Sequence, residues 1–247
     1  MFNQRKPGRF LTANWRHLLM LNYKVHPSII APHVPAGTEI DFHDGCAYIS
    51  IVGFLFLKTR VLGVPIPLHV DFEEVNLRTY VRRKSPEGWR RGVVFVKEIV
   101  PRRAIAFLAR VMYNENYVAM PMHHYILIGS GSVDRRDVVE YAWRDGEQWS
   151  LLRGEPTGES HVPSAGTHEE FIVEHYWGYS TQRDGGTIEY SVEHPPWRLW
   201  NVTNPSLECA VEELYGGKYA NILRSAPDSA FLAEGSEVIV RKGRRIE

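Results

Sequence analysis

Cysteine is scarce in this chain of 247 residues: Cys46 and Cys209 are the only two, and they lie in unlike contexts. That is too few for the disulfide framework of a small secreted domain. No stretch approaches the roughly 20 apolar residues that cross a bilayer. The N-terminal Met1-Phe-Asn-Gln-Arg-Lys-Pro7 has no apolar signal core. Charge of either sign is not in excess, with 29 basic and 29 acidic residues. The overall field therefore gives no reason to expect nucleic acid or an anionic membrane as partner. The basic tail Arg241–Arg245 follows the apolar Val238-Ile-Val240 and reads as a solvated strand end. A glycosylation-type triplet at Asn201-Val-Thr203 carries no weight without an export signal. A cytoplasmic protein with reduced thiols is the expectation.

Motifs for bound groups are missing as well. There is no Gly-x-Gly-x-x-Gly, phosphate loop, nucleophile elbow or His-Glu-x-x-His. His161, His168 and His175 are spaced by seven, so successive members stand two helical turns apart and cannot chelate together. They read as solvated or core histidines. Neither a metal nor an organic cofactor is expected.

What is present is strand. Residues 45–58 are rich in β-branched and aromatic side chains, as in a long buried strand. Residues 72–83 alternate, with Val75, Leu77, Thr79 and Val81 on one face and Glu74, Asn76, Arg78 and Tyr80 on the other. Further strands are expected over 92–100, 124–129, 138–143 and 148–152, with Asp145-Gly146 as the hairpin turn between the last two.

Helices are fewer. They are expected over 27–33, over 102–109 behind Pro101, over 168–175 capped by Thr167, and from Ser206 to Tyr215, where Gly216-Gly217 stops the last. Long strands with isolated helices favour a mainly β, α+β architecture. A curled or closed antiparallel sheet with flanking helices is expected, as one domain over 1–247.

Three segments then resemble acetoacetate decarboxylases in the same order: Arg16–Pro35, Phe72-Glu-Glu74 and Arg110–Met122. Over almost its full length the chain is also similar to the YqjF-like proteins (domain of unknown function 2071), a bacterial family with no established activity. That similarity is carried by Leu18–Tyr23, Val52-Gly-Phe54, Phe72–Arg78, Gly92–Phe95, Tyr113–Tyr117, Leu214-Tyr-Gly216 and Ser229–Ala233. The resemblance implies a β-cone or barrel around a small-molecule pocket.

In the decarboxylases an arginine opens a Gly-Phe-Pro-Lys-Lys run whose first lysine attacks a ketone. Arg110 matches that arginine and Tyr113 the aromatic three positions on, so the lysine falls on Tyr117, which has no nitrogen to form an imine. By the same resemblance Arg16 would hold a substrate carboxylate through its planar fork. Glu74 would lie near Tyr117 as base or positioner, Tyr117 would donate a hydrogen bond to a carbonyl or enolate oxygen, and Arg110, Glu115 and Asn116 would line the pocket.

Plainer readings stand beside these. The polar face of 72–83 could be wet, and Arg110 with Glu115 could be an ion pair that fixes a loop. Lys97, on an apolar strand, is the remaining lysine to consider for a Schiff base. The expectation is a protein that binds a small keto acid, with enolisation or hydration chemistry and no Schiff base. A non-catalytic binder or sensor, or a structural protein with a vestigial pocket, is the alternative. Self-association into a homo-oligomer is compatible with the sequence.

Overall fold

The computed structural model describes residues 7–102, 104, 114–129 and 137–246, and its strands follow the alternation of the sequence. In chain order they are β1 (Arg9–Val25), β2 (Glu39–Ile40), β3 (Ala47–Val61), β4 (Val64–Pro65), β5 (Phe72–Ser85) and β6 (Gly88–Val100). They continue as β7 (Tyr117–Ala119), β8 (Met122–Leu127), β9 (Val138–Asp145), β10 (Gln148–His161) and β11 (Trp177–Thr181). The last four are β12 (Thr187–Glu193), β13 (Leu199–Glu208), β14 (Ser229–Arg241) and β15 (Arg244–Ile246). The turn after Asp145 is the expected one, with Gly146 at φ 58°.

All fifteen belong to one sheet, with β6-β5-β3-β1-β14 at its centre. Most neighbours are antiparallel, but β7 and β11 both run parallel to β6. The far strand β12 pairs back onto β14 at Val192–Val240 and Glu193–Ile239. That contact curls the sheet round on itself. The result is a mostly β fold with a strongly curled sheet rather than a clean barrel.

Because side chains alternate across a strand, the central strands bury both faces. Met20, Val52 and Tyr80 look into the curl, among Phe54, Phe56 and Trp197. Leu19, Leu21, Ile51 and Leu77 look outward into a second core with Tyr141 and Trp143. Short helices pack on that outer side. They are α1 (Pro27–Ile30), α3 (Val211–Tyr215) and α4 (Ala220–Leu223), while α2 (His168–Val173) closes the inner side beside Tyr80.

Thr167 caps α2 by accepting from the Glu170 amide. The expected helix from Ser206 is shorter than its cap-like serine suggests. Ser206, Leu207 and Glu208 still pair with β10, and the helix begins only at Val211. The expected helix over 102–109 lies outside the described residues apart from Arg102 and Ala104. Among the described residues no helix is long and apolar enough to cross a membrane.

Candidate functional site

The curl encloses a cavity of about 180 Å³, and the polar face of β5 forms one wall of it. Glu74, Asn76 and Arg78 alternate inward and are all buried. Asn76 Nδ2 donates to Glu74 Oε1 at 3.0 Å. The Arg78 guanidinium donates to the Ile172 carbonyl at 3.3 Å and lies 5.6 Å from the Tyr80 ring centre. Its Nε has no partner among the described residues.

On the next strand the alternation breaks. Leu77 pairs with Lys97 but Arg78 pairs with Phe95, so β6 carries one extra residue at Val96. Such a bulge puts two successive side chains on one face. Val96 and Lys97 both point into the outer core, and Lys97 Nζ donates to the Leu214 carbonyl beneath the Tyr215 ring. Phe95 and then Glu98 face the cavity. Asn116 clasps the bulge: its Nδ2 donates to the Val96 carbonyl at 3.1 Å, and its own carbonyl accepts from the Glu98 amide at 3.0 Å.

Strand β7 then sets Tyr117 directly opposite Glu98 in parallel register, while Asn76 faces Glu98 from the other side. The Tyr117 hydroxyl donates to Glu74 Oε2 at 3.3 Å. Glu115 also lines the cavity and accepts from the Tyr190 hydroxyl at 2.6 Å. Tyr190 can lie there because its cross-strand partner is Gly178, where a Cβ would collide with its ring.

Three carboxyl groups thus share one desolvated space. Burial is the largest influence on each and pushes all of them above the usual carboxylate range. Hydrogen bonds from Asn76 and Tyr117 and the Arg78 charge pull Glu74 part of the way back. Glu98 is raised further by the charges of Glu115 and Glu74, and its Oε2 has no hydrogen-bond partner among the described residues. The Tyr190 hydrogen bond opposes the rise at Glu115. Burial and the same carboxylates drive the Tyr117 phenol well above its ordinary value, so it is a neutral donor. His175 also lines the cavity. Burial, then Arg91 and Arg78, hold its imidazole neutral, and neither ring nitrogen has a partner among the described residues. The arrangement can hold and pass protons next to one cation, in a space walled by aromatic rings.

Of the residues expected from the sequence, Glu74, Glu115 and Tyr117 meet at this cavity. Arg16 does not. A bulge between Arg16 and Leu19, with His17 at φ 55°, sends Trp15 and Leu18 inward and leaves Arg16 outside, donating to the Gly235 carbonyl near Glu234. Among the described residues, Arg78 is the arginine on the cavity wall.

Asn116 is not part of the cavity lining, and its side chain clasps the β6 backbone at Val96 instead. Lys97 is removed from the site by the bulge. Arg110 and Tyr113 lie outside the described residues. Glu98 and Tyr190 were not singled out from sequence as site residues, Arg78 was placed only on the polar face of 72–83, and His175 was read as a solvated or core histidine. The usable signals were an acid inside an apolar strand for Glu98 and a shared face with Glu74 for Arg78. No cluster of three or more His, Cys, Asp or Glu among the described residues could hold a metal ion.

The folds of solved proteins agree with this architecture. The enduracididine biosynthesis enzyme MppR complexed with pyruvate superposes with a TM-score of 0.67 at 10% identity, covering 99% of this chain and 92% of that one. Acetoacetate decarboxylase from Legionella pneumophila gives 0.65 at 12% identity, covering 100% and 92%. At such identity the likeness is one of fold. In sequence, the uncharacterized protein YqjF of Bacillus subtilis (strain 168) is 27% identical over 192 residues, 77% of this chain and 75% of that protein. The family model described as an uncharacterized conserved protein, domain of unknown function 2071, matches residues 12–237, and the chain belongs to that family within the acetoacetate decarboxylase-like fold.

Proposed function

We propose that this protein binds a small keto acid in the cavity and moves protons on it without forming an imine. The observation that carries the reading is the Tyr117 hydroxyl against Glu74 Oε2 at 3.3 Å, at the position where the related decarboxylases are lysine-dependent. A phenol and a carboxylate can do together what enolisation requires. Arg78 takes the substrate carboxylate with the fork that Arg16 does not bring to the cavity. Tyr117 donates to the ketone oxygen. Glu74 accepts the proton from the adjacent carbon as that C–H bond breaks and its electron pair passes into the enolate. A base whose pKa lies closer to neutrality than an ordinary carboxylate suits the task. Protonated Glu98 and Glu115 hold the enolate oxygen or a water beside it. Pyruvate bound to MppR, a protein of the same fold, supports a keto acid as the ligand class. We take residues 1–247 to act as one domain in the cytoplasm, where the free thiols of Cys46 and Cys209 persist.

The test is exchange of the pyruvate methyl protons in D₂O, followed by NMR. Catalysed exchange that Glu74→Gln abolishes supports the reading. Saturable binding with no exchange makes the protein a binder or sensor, the second reading, and absence of both leaves a vestigial pocket.

A further inference from the structure

The cavity has two unlike ends. Along β5 the inward side chains run Arg78, Asn76, Glu74 and then Phe72, so the polar lining stops at Glu74. On β3 Phe54 stands beside Glu74 and Phe56 beside Phe72, and Trp15 on β1 lies opposite Phe56. These rings form one continuous wall. Phe56 stacks on Phe72 at 4.7 Å between centres, and Trp15 meets Phe54 and Phe56 edge-on at 5.3 and 5.5 Å. Beyond them the lining is Phe10, Leu11, Val61, Ile66 and Val240, with Thr59, His69 and the Trp15 indole N–H as polar exceptions. At about 3.3 Å per residue, the step from Arg78 to Phe72 alone spans about 20 Å.

The apolar end also continues to the outside. Ile66 belongs to the cavity lining and is 37% exposed, and the same hairpin and loop display Leu62 at 60%, Val64 at 62% and Leu68 at 83%. Leu62 and Leu68 hold left-handed φ angles of 52° and 64°, which leucine rarely adopts. Strain of this kind concentrates at ligand clamps and switches. The cavity's 180 Å³ is room for about six waters, and a three-carbon keto acid would leave part of it unfilled.

We infer that the ligand is an elongated keto acid, its carboxylate and carbonyl at Arg78, Glu74 and Tyr117 and a multi-carbon apolar tail lying along Phe54, Phe56, Phe72 and Trp15 towards Ile66. This rests on the keto-acid reading above and adds the tail. The polar head fits the end lined by Arg78, Glu74, Glu98 and Glu115, where the arginine and the acids of the described lining are gathered. A short acid would leave the aromatic wall facing water.

Calorimetric titration with straight-chain 2-oxo acids, from pyruvate to 2-oxooctanoate, tests the tail, with 1-octanol and octylamine as ligands lacking the acid. Each buried methylene should tighten binding about fourfold, so affinity should climb steadily along the series. A flat series, or one in which pyruvate binds best, overturns the tail and leaves the keto-acid reading standing. Binding of octanol or octylamine with no binding of any acid overturns both. Ile66→Asp on the rim should weaken 2-oxooctanoate by about tenfold. Unchanged affinity in that variant overturns the path to the rim.

Discussion

Tyr117 donates to Glu74 from a strand whose register sets it opposite a second buried acid, Glu98. The proposed function gives this hydroxyl the place that an amine would take in imine chemistry. Borohydride with pyruvate should leave the parent protein unmodified. Tyr117→Lys should gain a trapped adduct at residue 117, more of it as pH rises, because the surrounding carboxyls hold the new ammonium protonated. Mass spectrometry decides it, and an adduct on any lysine of the parent would refute the imine-free chemistry.

The acids also set a pH dependence. A carboxyl whose folded pKa is raised keeps its proton in the folded chain at pH values where the unfolded chain has lost it. Its stabilising contribution is full below the ordinary value of about 4.3 and falls as pH climbs through the raised one. Buried histidines such as His175, with lowered values, act in the opposite sense, so the comparison must isolate one acid. Glu98→Gln keeps the shape and removes the titration. Urea unfolding should show this variant gaining on the parent from about pH 4.5 upwards. A difference that stays constant with pH would mean Glu98 is ionised in the folded state.

Asn116 should matter to the backbone more than to ligand. Asn116→Ala removes the donor to the Val96 carbonyl, at a cost of about 0.5–1.5 kcal/mol. It should also speed hydrogen exchange at the Glu98 amide, which the Asn116 carbonyl accepts. Unchanged stability together with unchanged exchange would show that the bulge holds without the clasp.

The two arginines separate cleanly. Arg78→Met should weaken keto-acid binding by about ten- to a hundredfold, the worth of a charge-assisted hydrogen bond of about 1.5–3 kcal/mol. Arg16→Met should leave affinity unchanged, since that side chain lies outside the cavity. The reverse pattern, in variants with native circular dichroism, would return the carboxylate to Arg16.

Six of the fifteen strands, β3, β5, β6, β8, β9 and β10, were legible because hydrophobic period is local: residues 72–83 alternate in the sequence and in space. The hairpin at Gly146 and the Thr167 cap were legible for the same reason. The resemblance to the decarboxylases led to Glu74, Glu115 and Tyr117, which composition alone would not have separated from a wet face. What stayed hidden depended on backbone irregularity or distant packing. Bulges at His17 and at Val96 each shift the alternation by one, which moved Arg16 out and Glu98 in. His175 faces the cavity with its ring against Tyr80, a contact that joins residues far apart in the chain. Ser206 looked like a cap because its pairing to Arg153 in β10 is equally non-local.

The extra residue in β6 means that the sign of the cavity wall is stored in the main chain. Lys97 and Glu98 are neighbours, and which of them looks inward is decided by one residue of slack upstream. A lineage that ironed out the bulge without shortening the strand would trade an acid for an amine at that wall, with no codon altered at either position. Within this fold, an insertion or deletion near Val96 is therefore as consequential for chemistry as a substitution in the site itself, and comparisons that score only side-chain identity would overlook it.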